Sequence, residues 1–324
     1  MRRFKNILCA LSPDADNGTA LQRAAALAAS NQAQLRVVMV ADEIEPDLEL
    51  PTGAPTLADL RTHFLAAQQQ ALDSQVARLG ENLDVHTRVL MGPAFLEIIR
   101  AVLRDQCDLV IKAPVSGGLL DRVFGSDDMH LLRKCPCPVW LVKPQVGRAY
   151  QRIVAPVDVD EFYDEDELNT RHQLNVQILE MASSLALSEF ASLHIVAVWR
   201  ARYESAMQGG FMNMPEEKVG AYVNQVKQQY SDNLDRLLAE VTGSVGQALE
   251  YIKPQIHVIK GWPREEIPAF TKSIEADLVV MGTLARSGIP GFLMGNTAET
   301  ILNRLNCSVL AVKPEGFVSP VTLS

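Results

Sequence analysis

Residues 125–144 (GSDDMHLLRKCPCPVWLVKP) and 295–314 (GNTAETILNRLNCSVLAVKP) align over twenty positions without a gap, and seven of those positions are identical. The matches are Gly125/Gly295, Leu132/Leu302, Cys137/Cys307, Val139/Val309, Val142/Val312, Lys143/Lys313 and Pro144/Pro314. A period near half the chain requires tandem domains, because repeats that stack into solenoids recur every ~20–50 residues. At 324 residues, each copy is long enough to bury its own core. Function therefore belongs to one copy first, and then to how the two differ.

Both copies write the same order of elements. In the first, an apolar run at 7–11 stops at Ser12-Pro13-Asp14, and a helical stripe of Leu21, Ala24, Ala25 and Ala28 follows. Further strands fall at 35–40, 85–90, 108–112 and 139–142, with a long helix over 58–79. Gly92-Pro93 opens another helix whose inner face is Phe95, Ile98, Ile99 and Val102. In the second copy strands fall at 153–157, 193–198, 256–259, 278–281 and 309–312. Its helices carry Leu174, Ile178, Met181 and Leu185, then span 219–241, then carry Ile267, Phe270 and Ile274, then span 298–305. Short apolar strands alternating with amphipathic helices imply parallel β-α-β units buried on both faces. The expected fold class is α/β: two tandem doubly wound five-stranded parallel-sheet domains, Rossmann-like. The expected domains are 1–147 and 148–315, with the linker near 145–150 and an irregular tail over 316–324.

Charge narrows the partners. The chain carries 30 Lys+Arg against 39 Asp+Glu, a net charge of −9. Residues 1–147 hold 15 basic and 17 acidic residues, and the remainder holds 15 and 22. Direct binding of nucleic acid or of an anionic membrane is not expected, since phosphate neutralisation needs clustered Lys and Arg. The apolar run in the opening MRRFKNILCALSPDAD is too short for a signal peptide. No segment approaches ~18 uninterrupted apolar residues, so a cytoplasmic protein is expected. The five cysteines, Cys9, Cys107, Cys135, Cys137 and Cys307, read as buried reduced thiols, and Cys135-Pro136-Cys137 is C-P-C, not the C-x-x-C of redox and metal motifs.

In open parallel sheets ligands bind beyond the carboxyl ends of the strands, where the winding reverses. If strands two and three lie on one side of strand one and strands four and five on the other, order 3-2-1-4-5, the reversal falls between strands one and four. In the second copy the loops there are 156–160 and 281–296, the latter reading MGTLARSGIPGFLMGN with glycines at 282, 288, 291 and 295. Such glycines, followed by Asn296-Thr297 at a helix start, suit a phosphate that approaches backbone closely. They suit ordinary turn and cap chemistry equally well.

The arrangement resembles the universal stress protein family. The pair C-P-C-P-V-W-L-V-K in the first half and G-N-T-A-E in the second is similar to its tandem E-type members, and the resemblance covers residues 3–314. It implies strand order 3-2-1-4-5, an Asp ending strand one, and a G-x-x-G-x9-G-[S/T] loop after strand four in nucleotide-binding members. By that resemblance the glycine loop and following helix receive phosphates, and the Asp with strand-two backbone holds ribose and adenine. Carried over, Asp158 matches the Asp, Gly282 and Gly295 match the first and third glycines thirteen apart, and Ile195 is the strand-two backbone contact. Thr283, Asn296 and Thr297 join the loop ends, while Ala285 replaces the second glycine and Asn296 the Ser or Thr. The first copy departs further: Ser12 stands for the Asp, Ala113 and Ser116 for two glycines, and only Gly125-Ser126 remain. Pro114 removes a donor, and Asp127 and Asp128 would repel a phosphate.

The resemblance thus implies a cytoplasmic stress-response protein, non-enzymatic, with an adenine-nucleotide site (ATP, ADP or AMP, with Mg2+ as a companion ion) in the second domain and a structural first domain. No G-x-S-x-G, H-E-x-x-H or G-x-x-x-x-G-K-[ST] motif occurs. The alternatives are a scaffold or carrier for an apolar or acyl ligand, which the Met-rich segment 202–214 suggests, and a slow nucleotide hydrolase using Asp158. That segment also reads as a mobile connection. Lys112 reads as a partner of Asp127 or as an anion contact, and His130 beside Asp127 and Asp128 as helix-surface chemistry rather than metal ligation. Strand five of each copy is apolar and lies at a sheet edge, and dimerisation of single-domain relatives there implies an intramolecular pseudo-dimer, with a homodimer left open.

Overall fold

The computed structural model describes residues 4–13, 15–43, 56–79, 83–115, 124–144, 149–209, 212, 214–245, 248–283 and 294–323. Expectations placed on Ser116, on Ala285 and on the linker residues 145–148 lie outside these. The chain divides into two compact units, and among the described residues they are 4–144 and 149–316, with 317–323 grouped with the first.

The N-terminal unit runs β1 (Asn6–Leu11), α1 (Gly18–Asn31), β2 (Gln34–Ala41), α2 (Leu57–Val76), β3 (Val85–Met91), α3 (Ala94–Asp105), β4 (Leu109–Lys112), α4 (Ser126–Lys134) and β5 (Val139–Leu141). Its strands are parallel in the order β3-β2-β1-β4-β5. The central strands are buried on both faces: Ile7, Leu8, Cys9, Leu109, Val110 and Ile111 have no exposed surface. That is why they read as continuous apolar runs rather than alternating ones. Helix α3 covers them with Ile98, Ile99, Ala101 and Val102.

The C-terminal unit repeats the plan as β6 (Arg152–Val157), α5 (Glu165–Glu189), β7 (Ser192–Trp199), α6 (Glu204–Gln208), α7 (Glu216–Val245), α8 (Ala248–Ile252), β8 (Gln255–Lys260), α9 (Pro263–Ser273), β9 (Leu278–Gly282), α10 (Asn296–Leu302) and β10 (Ser308–Val312). Its parallel order is β8-β7-β6-β9-β10. The short helices α6 and α8 have no counterpart in the sequence reading. The inner stripe of α5 is Leu174, Ile178, Leu179, Ala182 and Ala186. Met181 and Leu185, expected on it, are only half-buried.

The two units share their turn chemistry. Gly92 and Gly261 follow β3 and β8 at φ +134° and +154°, a region that side-chain-bearing residues rarely adopt. Both helices α1 and α5 end on a left-handed residue, Gln32 at φ 54° and Phe190 at φ 55°. Counting back from those ends, α1 has 14 residues and α5 has 25. The excess lies at the amino end of α5, which therefore reaches about three turns further over the carboxyl ends of its strands. All five cysteines are buried free thiols, and burial pushes Cys9 and Cys107 up to about 12, which keeps both protonated and unreactive. Among the described residues no helix is long and apolar enough to cross a membrane.

Candidate functional site at the carboxyl end of the second sheet

The winding reverses between β6 and β9, and there the two units differ. In the N-terminal unit β1 pairs with β4 over four positions, Ile7 to Ala10 against Leu109 to Lys112. In the C-terminal unit β6 pairs with β9 over two, Ile153 and Val154 against Leu278 and Val279. Pro156 explains part of the difference, because it has no N–H and is poorly tolerated where a strand is paired on both sides. It still sits in register with Val196 of β7. Beyond Val154 and Val279 the ladder between β6 and β9 stops, at the switch point where open sheets of this kind carry their ligand crevice.

Asp158 lies just past β6 at this switch point. Asn175 of α5 clamps its backbone, accepting from Asp158 N at 3.1 Å and donating to Asp158 O at 2.7 Å. The carboxylate is engaged on both oxygens. Oδ1 accepts from Asp160 N at 3.2 Å, and Oδ2 accepts from Arg171 Nη1 at 2.6 Å and from the Tyr163 hydroxyl at 3.1 Å. Arg171 also donates Nε and Nη2 to Glu167 Oε1 at 2.9 and 2.6 Å, and its guanidinium lies 3.9 Å above the Tyr163 ring. Burial alone would weaken the arginine's charge, but Asp158 and Glu167 outweigh it and hold Arg171 more firmly protonated than usual. Burial and the Asp158 carboxylate together push the Tyr163 hydroxyl up, so it remains a donor. Arg171, Glu167 and Tyr163 are residues that sequence reasoning missed. They carry no motif: the early start of α5 brings Arg171 onto Asp158 and Glu167 onto Arg171, and Tyr163 reaches Asp158 from the turn before the helix.

Gly282 ends β9 on the other side of the switch point. Its role differs from the one its spacing suggests: a Cβ there would stand 2.4 Å from Leu174 Cδ2 and 2.9 Å from Leu174 Cγ, so the glycine makes room for a leucine of α5. Thr283 follows, almost fully buried, and its hydroxyl has no hydrogen-bond partner while its N–H reaches Val312 O at 3.3 Å. An unpaired buried hydroxyl is costly. Gly295 caps α10 at φ −65°, not in the left-handed region, and no side chain caps this helix. Asn296 and Thr297 form its first turn, so the expected capping by Asn296 is absent.

Ile195 requires correction. It lies opposite Ala155 in mid-strand and is fully buried, whereas β6 ends with Val157 opposite Ala197. The strand-two residue level with Asp158 is Val198, which is half-buried and pairs with Ile259. The offset between two strands sets this register, and no single strand reveals it.

The equivalent place in the N-terminal unit carries different side chains. Ser12 occupies the Asp158 position, and Asn17 clamps its backbone as Asn175 does, at 3.2 and 2.8 Å. Lys112 Nζ lies 2.8 Å from Asp128 Oδ1 with both side chains buried, and Asp128 Oδ2 accepts from Val115 N at 3.2 Å. The lysine's partner is therefore Asp128 and not Asp127, because Asp128 is on the buried face of α4. His130 packs on Phe95 with ring centroids 4.7 Å apart, and among the described residues no cluster of three metal-capable side chains exists. The segment after β7 is folded rather than loose: it contains α6, and Glu204 pairs with Lys260 at 2.6 Å. Gly210, Phe211 and Asn213 lie outside the described residues.

The model of the family described as the universal stress protein family matches residues 3–143 and again 149–313. The universal stress protein E homolog of Haemophilus influenzae is 28% identical over 323 residues, covering 96% of this chain and 98% of that protein. Universal stress protein E of Escherichia coli K12 is 27% identical over 330 residues, covering 100% and 98%. A crystal structure from Pseudomonas aeruginosa UCBPP-PA14, described as a universal stress protein, superposes with a TM-score of 0.67 at 25% identity over 97% of this chain and 95% of that one.

Proposed function

The chain belongs to the universal stress protein family, carrying two family domains in tandem, and we propose that its C-terminal unit binds an adenine nucleotide while its N-terminal unit does not. The observation that carries this reading is that Asp158 at the end of β6 and the unpaired Thr283 hydroxyl at the end of β9 stand on the two strands that flank the reversal of winding, where such sheets hold their ligands. Ribose hydroxyls would donate to Asp158, the base would lie along the backbone at Val198, and Thr283 with the first turn of α10 would face the phosphates. Helix α5 touches both strand ends, through Arg171 on Asp158 and Leu174 on Gly282, so a ligand competes with these contacts. Any Mg2+ would arrive on the phosphates.

The reading is of a binding protein. Asp158 is already committed to Arg171 and Tyr163, and the neighbouring acids Asp160 and Glu167 to Arg202 and Arg171, which leaves each of them a poor general base. Five buried thiols suit a reducing compartment, and we place the protein in the cytoplasm. Denaturing the purified protein and analysing what is released, followed by calorimetry with ATP and AMP, tests the proposal. Bound nucleotide is expected, with affinity reduced about tenfold or more by Asp158→Ala and unchanged by Ser12→Ala. Absence of nucleotide and of binding heat sinks it. An acyl compound in the extract would make the protein a carrier, and Asp158-dependent turnover well above background would make it a hydrolase.

A further inference from the structure

We propose that Arg171 makes this crevice select phosphorylated ligands over neutral nucleosides, by surrendering Asp158 only to a ligand that supplies an anion in return. The inference rests on the nucleotide reading above and names what that site discriminates. Arg171 and Leu174 are three residues apart on α5 and so share one face of it. Leu174 reaches the Gly282 position at the end of β9, and Arg171 reaches Asp158 at the end of β6. The guanidinium thus lies over the opening between the two strands. Its side chain is 20% exposed, which keeps it close to solvent and to an arriving ligand.

The hydrogen bonds set the selectivity. Oδ2 of Asp158 already accepts from Arg171 Nη1 and from the Tyr163 hydroxyl, so a ribose hydroxyl that takes a place on Oδ2 competes with Arg171 for it. A neutral nucleoside offers the freed guanidinium nothing. A phosphate offers paired acceptors that match the guanidinium fork. Glu167 retains Arg171 through Nε and Nη2 during the exchange, so the arginine stays charged and in place while one anion replaces another. The stack on Tyr163 restricts it to the same plane. In the N-terminal unit α1 begins at Gly18, after the residues that would correspond, and no such arginine is present.

Calorimetry of the full-length protein with adenosine and AMP, in the wild type and in Arg171→Met, tests this. Removing the guanidinium frees Asp158 and deletes the phosphate partner, so adenosine binds more tightly and AMP more weakly. The ratio of their affinities is expected to fall by about tenfold or more. An unchanged ratio, with AMP binding both proteins, overturns the inference and leaves the nucleotide reading standing. If neither ligand binds either protein, the nucleotide reading fails and takes this inference with it. Should Arg171→Met not fold by circular dichroism, Arg171→Lys, which keeps the charge without the fork, is expected to lower the ratio by a smaller factor, and an unchanged ratio there overturns the inference equally.

Discussion

At positions 112 and 128 the N-terminal unit carries a lysine and an aspartate where the C-terminal unit carries Met281 and Ala298, so duplication has already run a paired substitution on one piece of scaffold. Removing a single member of a buried ion pair strands the other charge and costs about 3–5 kcal/mol, whereas replacing both by apolar groups is often neutral. Lys112→Met alone is therefore expected to destabilise the protein by about that amount, and Lys112→Met with Asp128→Ala to recover most of it. Urea unfolding of the three proteins measures this, and equal losses in the single and double variants would contradict it. The sequence showed a lysine ending a core strand and two acids at a helix start. Which acid faced inward depended on the phase of α4, and that phase is set by packing.

Among the elements, α5 carries most of what distinguishes the site. Its first residues, EDELNTR, have no apolar period, so nothing in them announces a helix that continues from the buried stripe. The N-cap Asp164, which accepts from Glu167 N at 2.9 Å, and the acidic first turn were the available signals. The extension explains the glycine of β9 as a packing residue. Gly282→Ala places a methyl against Leu174 and is expected to cost about 1–3 kcal/mol. Combining it with Leu174→Ala should cost less than the two changes summed. Additive losses, followed by denaturant titration, would show that the contact is not what excludes the methyl. Strand identities were legible from their apolar runs and parallel pairing from the alternation with helices, while the order 3-2-1-4-5 came from the family resemblance. The β6–β7 offset was not legible, and it sets Val198 rather than Ile195 level with Asp158.

For the whole molecule the duplication predicts number. At the reversal of winding one unit has Asp158 and an unpaired Thr283 hydroxyl and the other a buried Lys112–Asp128 pair, so on the proposed reading calorimetry of the intact chain should give one nucleotide per chain. A value of two would mean that the Lys112–Asp128 pair opens to ligand. Two copies were evident from twenty aligned residues, and their unequal retention of Asp158 and Gly282 pointed to the second. The contacts that occupy Asp158 were not evident, because they depend on residues with no counterpart in the first copy. The last stretch of chain adds one more consequence. Residues 317–323 group with the N-terminal unit, and Ser319 Oγ donates to Lys134 O at 2.7 Å. Protein synthesis delivers domains in order from the amino end. The first unit to emerge from the ribosome is thus completed by residues translated after the whole of the second.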